Sequence, residues 1–333
     1  MYVDDGLCVT NNKEFAKGKL NAIKKVFELE VTEDPKIFVG IQIDRNRADG
    51  TMLLHQEDAV IKLLAMSGMA DCKPAATPMQ VGLVLTDPST IISTAEERKY
   101  PYQSIVRQLM WLLGTRIDLC FAINVLTRYM SNWNEEAIML LKRVIRYLKG
   151  KEKLGLMYRK AETNEKLEDA SQQPTKMSFL SDCDYAGRVH DSKCTGGGMS
   201  LFGDNTVYFQ TKTHPIGIST STSQAEGLNC KMVCHGAQWT SGLLQEIGIR
   251  GSGPIILYQD NQSVISLSVN PVGHKRSKHY RIAMHYIRDL VVRGVIKITY
   301  LQTEYMTADI LTKALAEGRF KALLKLANFG KFD

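Results

Sequence analysis

Apolar residues in the first part of the chain follow two different periods. Residues 12–29 place them close to the helical period, which predicts an amphipathic helix. Residues 36–56 have apolar runs on both sides of Asp49-Gly50, a pair typical of tight hairpins, so we predict a strand, a turn and a strand. A short helix follows. Residues 69–98 contain several prolines and no strong period, which predicts a connector.

Three helices are predicted next, at about residues 100–115, 117–131 and 135–149. The third begins with acidic residues and is followed by Gly150, as helix-dipole and C-cap preferences favour. Its polar face carries four basic residues. By default this is the solvated face of an amphipathic helix, and the sharper alternative is contact with phosphates. The four residues are Lys142, Arg143, Arg146 and Lys149.

A polar segment separates these helices from a second pattern, and we assign residues 151–175 to a linker. From residue 176 the chain predicts three successive strands, a long helix, a strand, two helices, a strand and a final helix. A meander of three strands followed by alternating helices and strands is typical of a mixed sheet covered by helices. The predicted fold class is therefore α+β or α/β, with a five-stranded mixed sheet in the second half.

Composition fits an intracellular globular protein with a polyanionic partner. The net charge is +7, and much of the excess lies in residues 141–153 and 273–288. The seven cysteines are odd in number and include no Cys-x-x-Cys pair, so free thiols in a reducing compartment are expected. No secretory signal or membrane-spanning apolar run is present. We expect a location in the cytoplasm or nucleus and no membrane partner.

Four acidic residues in the second half lie at or near the ends of predicted elements, where ligands bind in open α/β sheets. Asp182 and Asp260 close two strands, and Glu226 and Asp309 lie early in two helices. Each also has a local explanation. Asp182 suits a turn, Ser223 with Glu226 matches a capping box, Asp260 suits an N-cap, and Asp309 would complement a helix dipole.

Taken together, the four acids favour a metal site. Carboxylates held close together raise one another's pKa unless a cation neutralises them. Hard oxygen ligands suit Mg²⁺ or Mn²⁺. Two such ions about 4 Å apart would activate a water and stabilise the leaving oxygen of a phosphodiester.

The order of the four acids on strand, helix, strand and helix resembles that of ribonuclease H. More narrowly, eight motifs in family order resemble the reverse transcriptase–ribonuclease H region of copia-type retrotransposon polyproteins. These motifs are YVDDGL (2–7), TRIDLCFAINVLTRYM (115–130), RVIRYLKG (143–150), SDCDYAG (181–187), STSQAEG (221–227), YQDNQSVISLSVNP (258–271), HKRSKHYRIAMHYIRD (274–289) and TADILTKAL (307–315).

The resemblance implies metal-ligand roles for Asp182, Glu226, Asp260 and Asp309, with Asp184 as an outer or structural acid. It implies hydrolysis of the RNA strand of an RNA–DNA hybrid with Mg²⁺ or Mn²⁺, with two ions expected. The 2′-hydroxyl of the cleaved strand would distinguish RNA from DNA. The chain departs from the family where SQAEG replaces a typical TEAEY, beside Glu226.

The resemblance also divides the chain. It implies a partial reverse transcriptase palm over residues 1–68, the connector over 69–98, a helical thumb-like region over 99–150 and a ribonuclease H-like domain over 176–325. Asp4 and Asp5 match the polymerase metal-binding turn. That chemistry also needs a carboxylate and fingers that precede this turn in the family. We therefore expect the chain alone not to polymerise DNA, and polymerase activity only within a longer polyprotein.

A basic segment near residue 280 is interpreted as a contact with the hybrid backbone, the alternative being a solvated surface. Its predicted contacts are Lys275, Arg276, Lys278 and Arg281. Two other functions stay open. One is a non-catalytic nucleic-acid-binding remnant in which the altered helix start misplaces Glu226. The other is a transposase or integrase of related fold, which would cleave duplex DNA.

Overall fold

The computed structural model describes residues 5–160, 177–185, 187, 192–214, 219, 221–248, 253–270 and 281–330. The N-terminal elements follow the predicted order. They are α1 (Lys13–Lys24), β1 (Ile37–Phe38), β2 (Ile41–Asn46), β3 (Thr51–His55) and α2 (Glu57–Met66). Gly50 takes a positive φ of 63° in the β2–β3 turn, which explains the Asp-Gly pair there. The predicted apolar face of α1 is not packed, because α1 has no buried residue.

The three predicted helices of the middle region are confirmed. A short helix, α3 (Ala95–Lys99), precedes α4 (Tyr102–Leu112), α5 (Cys120–Thr127) and α6 (Glu135–Leu148). The side chain of Asn134 caps α6 by accepting a hydrogen bond from the Ala137 N–H at 3.0 Å. The connector is not featureless, since Pro88–Thr90 forms a 3₁₀ turn.

The predicted linker contains a strand, β4 (Leu156–Arg159), which pairs antiparallel with β3. The assignment of residues 151–175 to a linker is therefore wrong over this segment. The polar composition of the following residues hid a strand whose partner is about 100 residues earlier in the chain. β4 completes a sheet of order β1-β2-β3-β4. Asn205 joins it to the second sheet through hydrogen bonds with the Arg159 N–H (2.8 Å) and C=O (3.0 Å).

The second half forms the predicted mixed five-stranded sheet, of order β7-β6-β5-β8-β9. Its first three strands are an antiparallel meander, and β8 and β9 are parallel to β5. The elements are β5 (Met177–Asp184), β6 (Thr195–Phe202), β7 (Asn205–Thr213), α7 (Thr222–Glu246), β8 (Ile255–Gln259), α8 (Gln262–Val269), α9 (Arg281–Val292), β9 (Ile296–Tyr300), α10 (Asp309–Thr312) and α11 (Glu317–Leu326).

The final helix differs from its prediction. It is broken into α10 and α11, because Lys313 takes an extended conformation with φ −145° and ψ 159°. The described structure extends beyond the predicted domain boundary at residue 325. Phe329 forms an antiparallel β-bridge with Leu156 of β4. Local periodicity did not show this break, since residues on both sides of it favour helix.

Alternate residues of β5 face two different cores. Phe179 packs with Val233 of α7 and Ile287 of α9 on one face of the sheet. Leu180 belongs to the second core, which it shares with α4–α6, α10 and α11. Helix α5 packs against β7, and α10 packs against β5, β6 and α5, so the middle helices and the five-stranded sheet share one core. No helix among the described residues is long and apolar enough to cross a bilayer.

A buried ion pair lies in this shared core. The Arg116 guanidinium donates to both carboxylate oxygens of Asp118, at 3.0 and 2.8 Å, and to the Lys151 carbonyl at 3.0 Å. The Tyr147 hydroxyl donates to the same carboxylate at 2.8 Å. Both charged side chains are at most 1% exposed, so each relies on the other for compensation.

We expect Asp118→Asn to lower the free energy of unfolding by about 3–5 kcal/mol, because it leaves the Arg116 charge buried without a counter-ion. Urea denaturation would measure this loss. Asp289→Asn is the matched control. It breaks an exposed ion pair with Arg293 (3.1 Å) and should cost at most about 1 kcal/mol. Equal losses in the two variants would contradict the assignment.

Candidate active site

The sheet brings three of the four predicted acids to one end. Asp182 lies on the central strand β5, two residues before its end. The parallel pairing of Leu180 with Tyr258 carries the end of β5 towards Asp260, which follows β8. Glu226 lies early in α7, which packs across β5 and β6. One carboxylate oxygen from each of Asp182, Glu226 and Asp260 lies within 4.8 Å of the others.

The local explanations for these three acids are wrong. Asp182 lies inside a strand rather than in a turn. The N-cap of α7 is Ser221, which accepts from the Gln224 N–H at 3.2 Å, so Ser223 and Glu226 form no capping box. The N-cap of α8 is Asn261 rather than Asp260. Asp309 is the first residue of α10, a position that agrees with the predicted interaction of its carboxylate with the helix dipole.

Burial and mutual repulsion strain this cluster electrostatically. Burial raises the pKa of Asp182 to about 7; Lys313 opposes this shift, and the Asp309 and Asp260 carboxylates add to it. Burial, followed by repulsion from Asp182 and Asp260, raises the pKa of Glu226 well above its usual range. Such a cluster favours a cation, because a cation removes the cost of charging its carboxylates.

Asp309 occupies a different position in the site. Its Oδ1 lies 2.9 Å from Lys313 Nζ, and its Oδ2 lies 3.3 Å from an Arg319 guanidinium nitrogen. Lys313 Nζ also lies 3.6 Å from Asp182 Oδ2, which accepts a hydrogen bond from the Thr312 hydroxyl. Asp309 is therefore beside the cluster, but its carboxylate is engaged by two cationic side chains.

Several neighbours of the acids were missed by the sequence interpretation. The Gln259 amide donates to Glu226 at 3.4 Å, and Gln259 Oε1 accepts from the Asp260 N–H at 2.9 Å. The Thr303 hydroxyl donates to Asp260 Oδ2 at 3.0 Å. From the sequence, only the contact between Gln259 and the Asp260 N–H could have been predicted, because these two residues are adjacent in the chain.

Asn229 fastens α7 to the sheet. Its fully buried side-chain amide donates to Ser181 Oγ (2.9 Å), the Asp182 carbonyl (2.7 Å) and the Gly197 carbonyl (2.9 Å). Asn229 follows Glu226 by three residues, so these bonds position Glu226 relative to Asp182. The close approach requires glycine at 196, where a Cβ would lie 2.0 Å from Asn229 Oδ1.

Some of the basic residues predicted to contact nucleic acid are exposed, whereas others form hydrogen bonds within the protein. Arg143 donates to Thr77 Oγ1 at 3.1 Å and Arg146 to the Lys73 carbonyl at 2.8 Å, so both hold the connector. Lys142 is exposed, with its ammonium 5.8 Å from the centre of the Tyr100 ring, and Lys149 is half-buried. Arg281 is exposed at the start of α9. Their contact with phosphate remains a prediction, and for Arg143 and Arg146 the structure supplies another role.

Some predicted residues lie outside the described part of the chain. These are Lys275, Arg276, Lys278 and Asp4. Asp5 is exposed. All seven cysteines are free thiols, and Cys230 and Cys234 are buried in the core between α7 and α9. Among the residues that the structure describes, the group able to hold a metal is Asp182, Glu226 and Asp260.

We expect Gly196→Ala to destabilise the protein by about 1–3 kcal/mol, because the new methyl group overlaps Asn229 Oδ1. The cost should be smaller in an Asn229→Ala background, and a double-mutant cycle by urea denaturation would measure that coupling. Gly242→Ala is the control, since no atom lies within 4 Å of its added Cβ and alanine favours helix. Additive effects of the two substitutions would refute this contact.

We expect Glu226→Gln to raise the thermal unfolding midpoint of the metal-free protein at pH 8. The pKa of Glu226 is higher in the folded protein than in the unfolded chain. Stability is therefore lost as the pH rises above the ordinary pKa of a glutamate, because ionisation of Glu226 then favours the unfolded chain. The difference should vanish at about pH 3, well below the ordinary pKa of a glutamate, where the carboxyl is protonated in both states. Glu246→Gln, at the exposed end of the same helix, should change nothing. A lower midpoint for Glu226→Gln at pH 8 would show that the repulsion is absent.

Comparisons with known proteins cover nearly the whole chain, although no protein-family model matches it. It is 32% identical over 323 residues to the retrovirus-related Pol polyprotein from transposon RE2 of Arabidopsis thaliana, which covers 96% of this chain and 21% of the relative. It is 28% identical over 330 residues to the corresponding polyprotein from transposon TNT 1-94 of Nicotiana tabacum, over 98% of this chain and 24% of the relative. The chain thus spans less than a quarter of the length of these relatives.

Among solved structures, LC11-RNase H1 in complex with an RNA/DNA hybrid aligns with a TM-score of 0.32 and 15% identity, over 41% of this chain and 93% of that protein. Over 96% of its length the chain is thus homologous to a part of retrovirus-related Pol polyproteins of copia-type transposons, and its second half has a ribonuclease H-like mixed five-stranded sheet.

Proposed function

We propose that this chain hydrolyses the RNA strand of RNA–DNA hybrids in a reaction that needs a divalent cation. The observation that carries the proposal is the convergence of Asp182, Glu226 and Asp260, with ligand oxygens within 4.8 Å of one another. The similarity of the chain to retrotransposon Pol polyproteins supports a nuclease role of the ribonuclease H type. Beyond this nuclease role, we propose that the substrate is an RNA–DNA hybrid and that the cofactor is a divalent metal ion.

The three carboxylates fit Mg²⁺ or Mn²⁺, since they are hard oxygen donors in a buried cluster that needs positive charge. Asp182, Glu226 and Asp260 would hold the ion. When bound, it would polarise the phosphodiester and lower the pKa of an attacking water. A second ion, expected from the resemblance, would need Asp309, whose two oxygens face Lys313 and Arg319.

The surrounding residues keep these carboxylates aimed at the same point. Asn229 holds α7 against β5, and Thr303 holds the Asp260 side chain. Hydrolysis adds a water oxygen to phosphorus and breaks the bond to the 3′-oxygen, which takes up a proton. An aligned set of acids favours this displacement because it is assembled before the substrate binds.

Substrate binding would draw on basic residues around the site. We propose that the exposed Arg281, with Lys275, Arg276 and Lys278, contacts the hybrid backbone. Lys142 of α6 and Lys149, the C-cap residue of α6, are further candidates. Polymerase function of Asp4 and Asp5 is proposed only within the longer polyprotein. An intracellular site of action fits the seven free thiols.

The non-catalytic alternative depended on a misplaced Glu226, and the position of Glu226 supports the catalytic proposal instead. α7 begins at Thr222 despite Gly227, and Glu226 joins the carboxylate cluster. The related transposase or integrase alternative would be favoured by cleavage of duplex DNA.

We expect Mg²⁺-dependent release of labelled RNA from an RNA–DNA hybrid, and a loss of at least about 100-fold in Asp260→Asn, because one metal ligand becomes a neutral amide. Asp289→Asn is the control, as it removes an exposed carboxylate of α9. Chelation with EDTA should abolish cleavage, and duplex DNA should remain intact. Undiminished cleavage by Asp260→Asn would refute the mechanism, and hybrid binding without cleavage would favour the non-catalytic alternative.

A further inference from the structure

The ammonium group of Lys313 lies where a cation shared by Asp182 and Asp309 would lie. Its Nζ is 2.9 Å from Asp309 Oδ1 and 3.6 Å from Asp182 Oδ2. Asp182 is also a member of the three-carboxylate cluster. The site therefore has two adjacent cation positions, one bounded by three carboxylates and one already occupied by a lysine.

The fold places Lys313 there firmly. α10 ends at Thr312, and the extended conformation of Lys313 turns the chain away from the helical path. The Lys313 N–H still bonds to the Asp309 carbonyl at 3.2 Å. Thr312 is fully buried, and its hydroxyl donates to the same Asp182 oxygen that faces the ammonium. The Lys313 side chain is thus anchored at its base by a buried turn.

Asp309 is engaged from its other side as well. Arg319 approaches Oδ2 at 3.3 Å and also donates to the carbonyls of Thr303 and Glu304. A divalent ion bound to Asp309 would have to displace two cationic side chains or lie beside them. A divalent ion beside these side chains would be repelled strongly, because the positive charges would lie within a few ångströms of one another in a partly buried site.

The Lys313 ammonium lies between the carboxylates of Asp182 and Asp309, which favour its charged form. The side chain is 34% exposed. It borders a surface cavity of about 240 Å³, together with Asp184, Gly187 and Thr195. A phosphate entering the site from this side would meet the ammonium.

We propose that Lys313 takes the place of the second metal ion, so that the site binds one divalent cation and the lysine supplies the other positive charge to the scissile phosphate. This inference rests on the proposed nuclease function and deepens it. Asp309 is then a positioning residue that holds Lys313, rather than a metal ligand. Arg319 and Thr312 support that arrangement through Asp309 and Asp182.

The test counts Mn²⁺ ions bound per chain by isothermal titration calorimetry. It is run on the free protein and on its complex with a duplex of DNA and 2′-O-methyl RNA, which resists cleavage. Wild type and Lys313→Arg, which keeps the charge, should each bind one ion. Lys313→Gln should bind two, because the position between Asp182 and Asp309 becomes free. Lys321→Gln, which alters an exposed lysine of α11, should bind one.

Two ions in the wild-type chain, or one ion in Lys313→Gln, would overturn the inference. Circular dichroism of each variant checks that it is folded, and Lys313→Met provides a second neutral variant if Lys313→Gln is not. The cleavage assay separates this inference from the proposed function. One bound ion without cleavage of any hybrid contradicts the function alone, whereas cleavage with two bound ions contradicts the role of Lys313 alone.

Discussion

Repulsion among buried carboxylates is the constraint on which the rest of this site depends. Asp182, Glu226 and Asp309 are each at most 4% exposed, and Asp260 lies beside them. Burying such charges together is unfavourable unless cations or hydrogen-bond donors compensate them. Lys313 and Arg319 compensate Asp309, and Lys313 and Thr312 compensate Asp182 in part. Glu226 and Asp260, by contrast, receive hydrogen bonds from the neutral side chains of Gln259 and Thr303. This asymmetry is what makes one position suitable for a metal.

Helix α5 contributes to this arrangement from the other face of the sheet. α10, which carries Asp309 and Thr312, packs against α5 and β6 in the shared core. The buried pair of Arg116 and Asp118 lies in the same region, where removal of one partner would leave a charge without compensation. The helices therefore stabilise the segment that positions the cationic side of the site.

Most helices and strands could be predicted because their apolar periods are local. The α4–α6 helices and the β5–β6–β7 meander match their predictions for this reason. β4 was missed because four residues beside a polar segment carry little periodic signal, and their partner strand is remote. The break after Thr312 was missed because it depends on contacts of Thr312 and Lys313 with Asp182, which is 130 residues away from Thr312.

Residue type and order along the chain determined the family, the mixed five-stranded sheet and the identity of the acids, since strand ends collect residues from distant segments in a regular way. Only the tertiary structure decided which acids lie close enough together to share a cation. Asp182, Glu226 and Asp260 converge, whereas Asp309 is engaged by Lys313 and Arg319. It also decided that Arg143 and Arg146 hold the connector. The physical reason is that a charged side chain takes its role from the groups within a few ångströms of it, and sequence spacing does not set those distances.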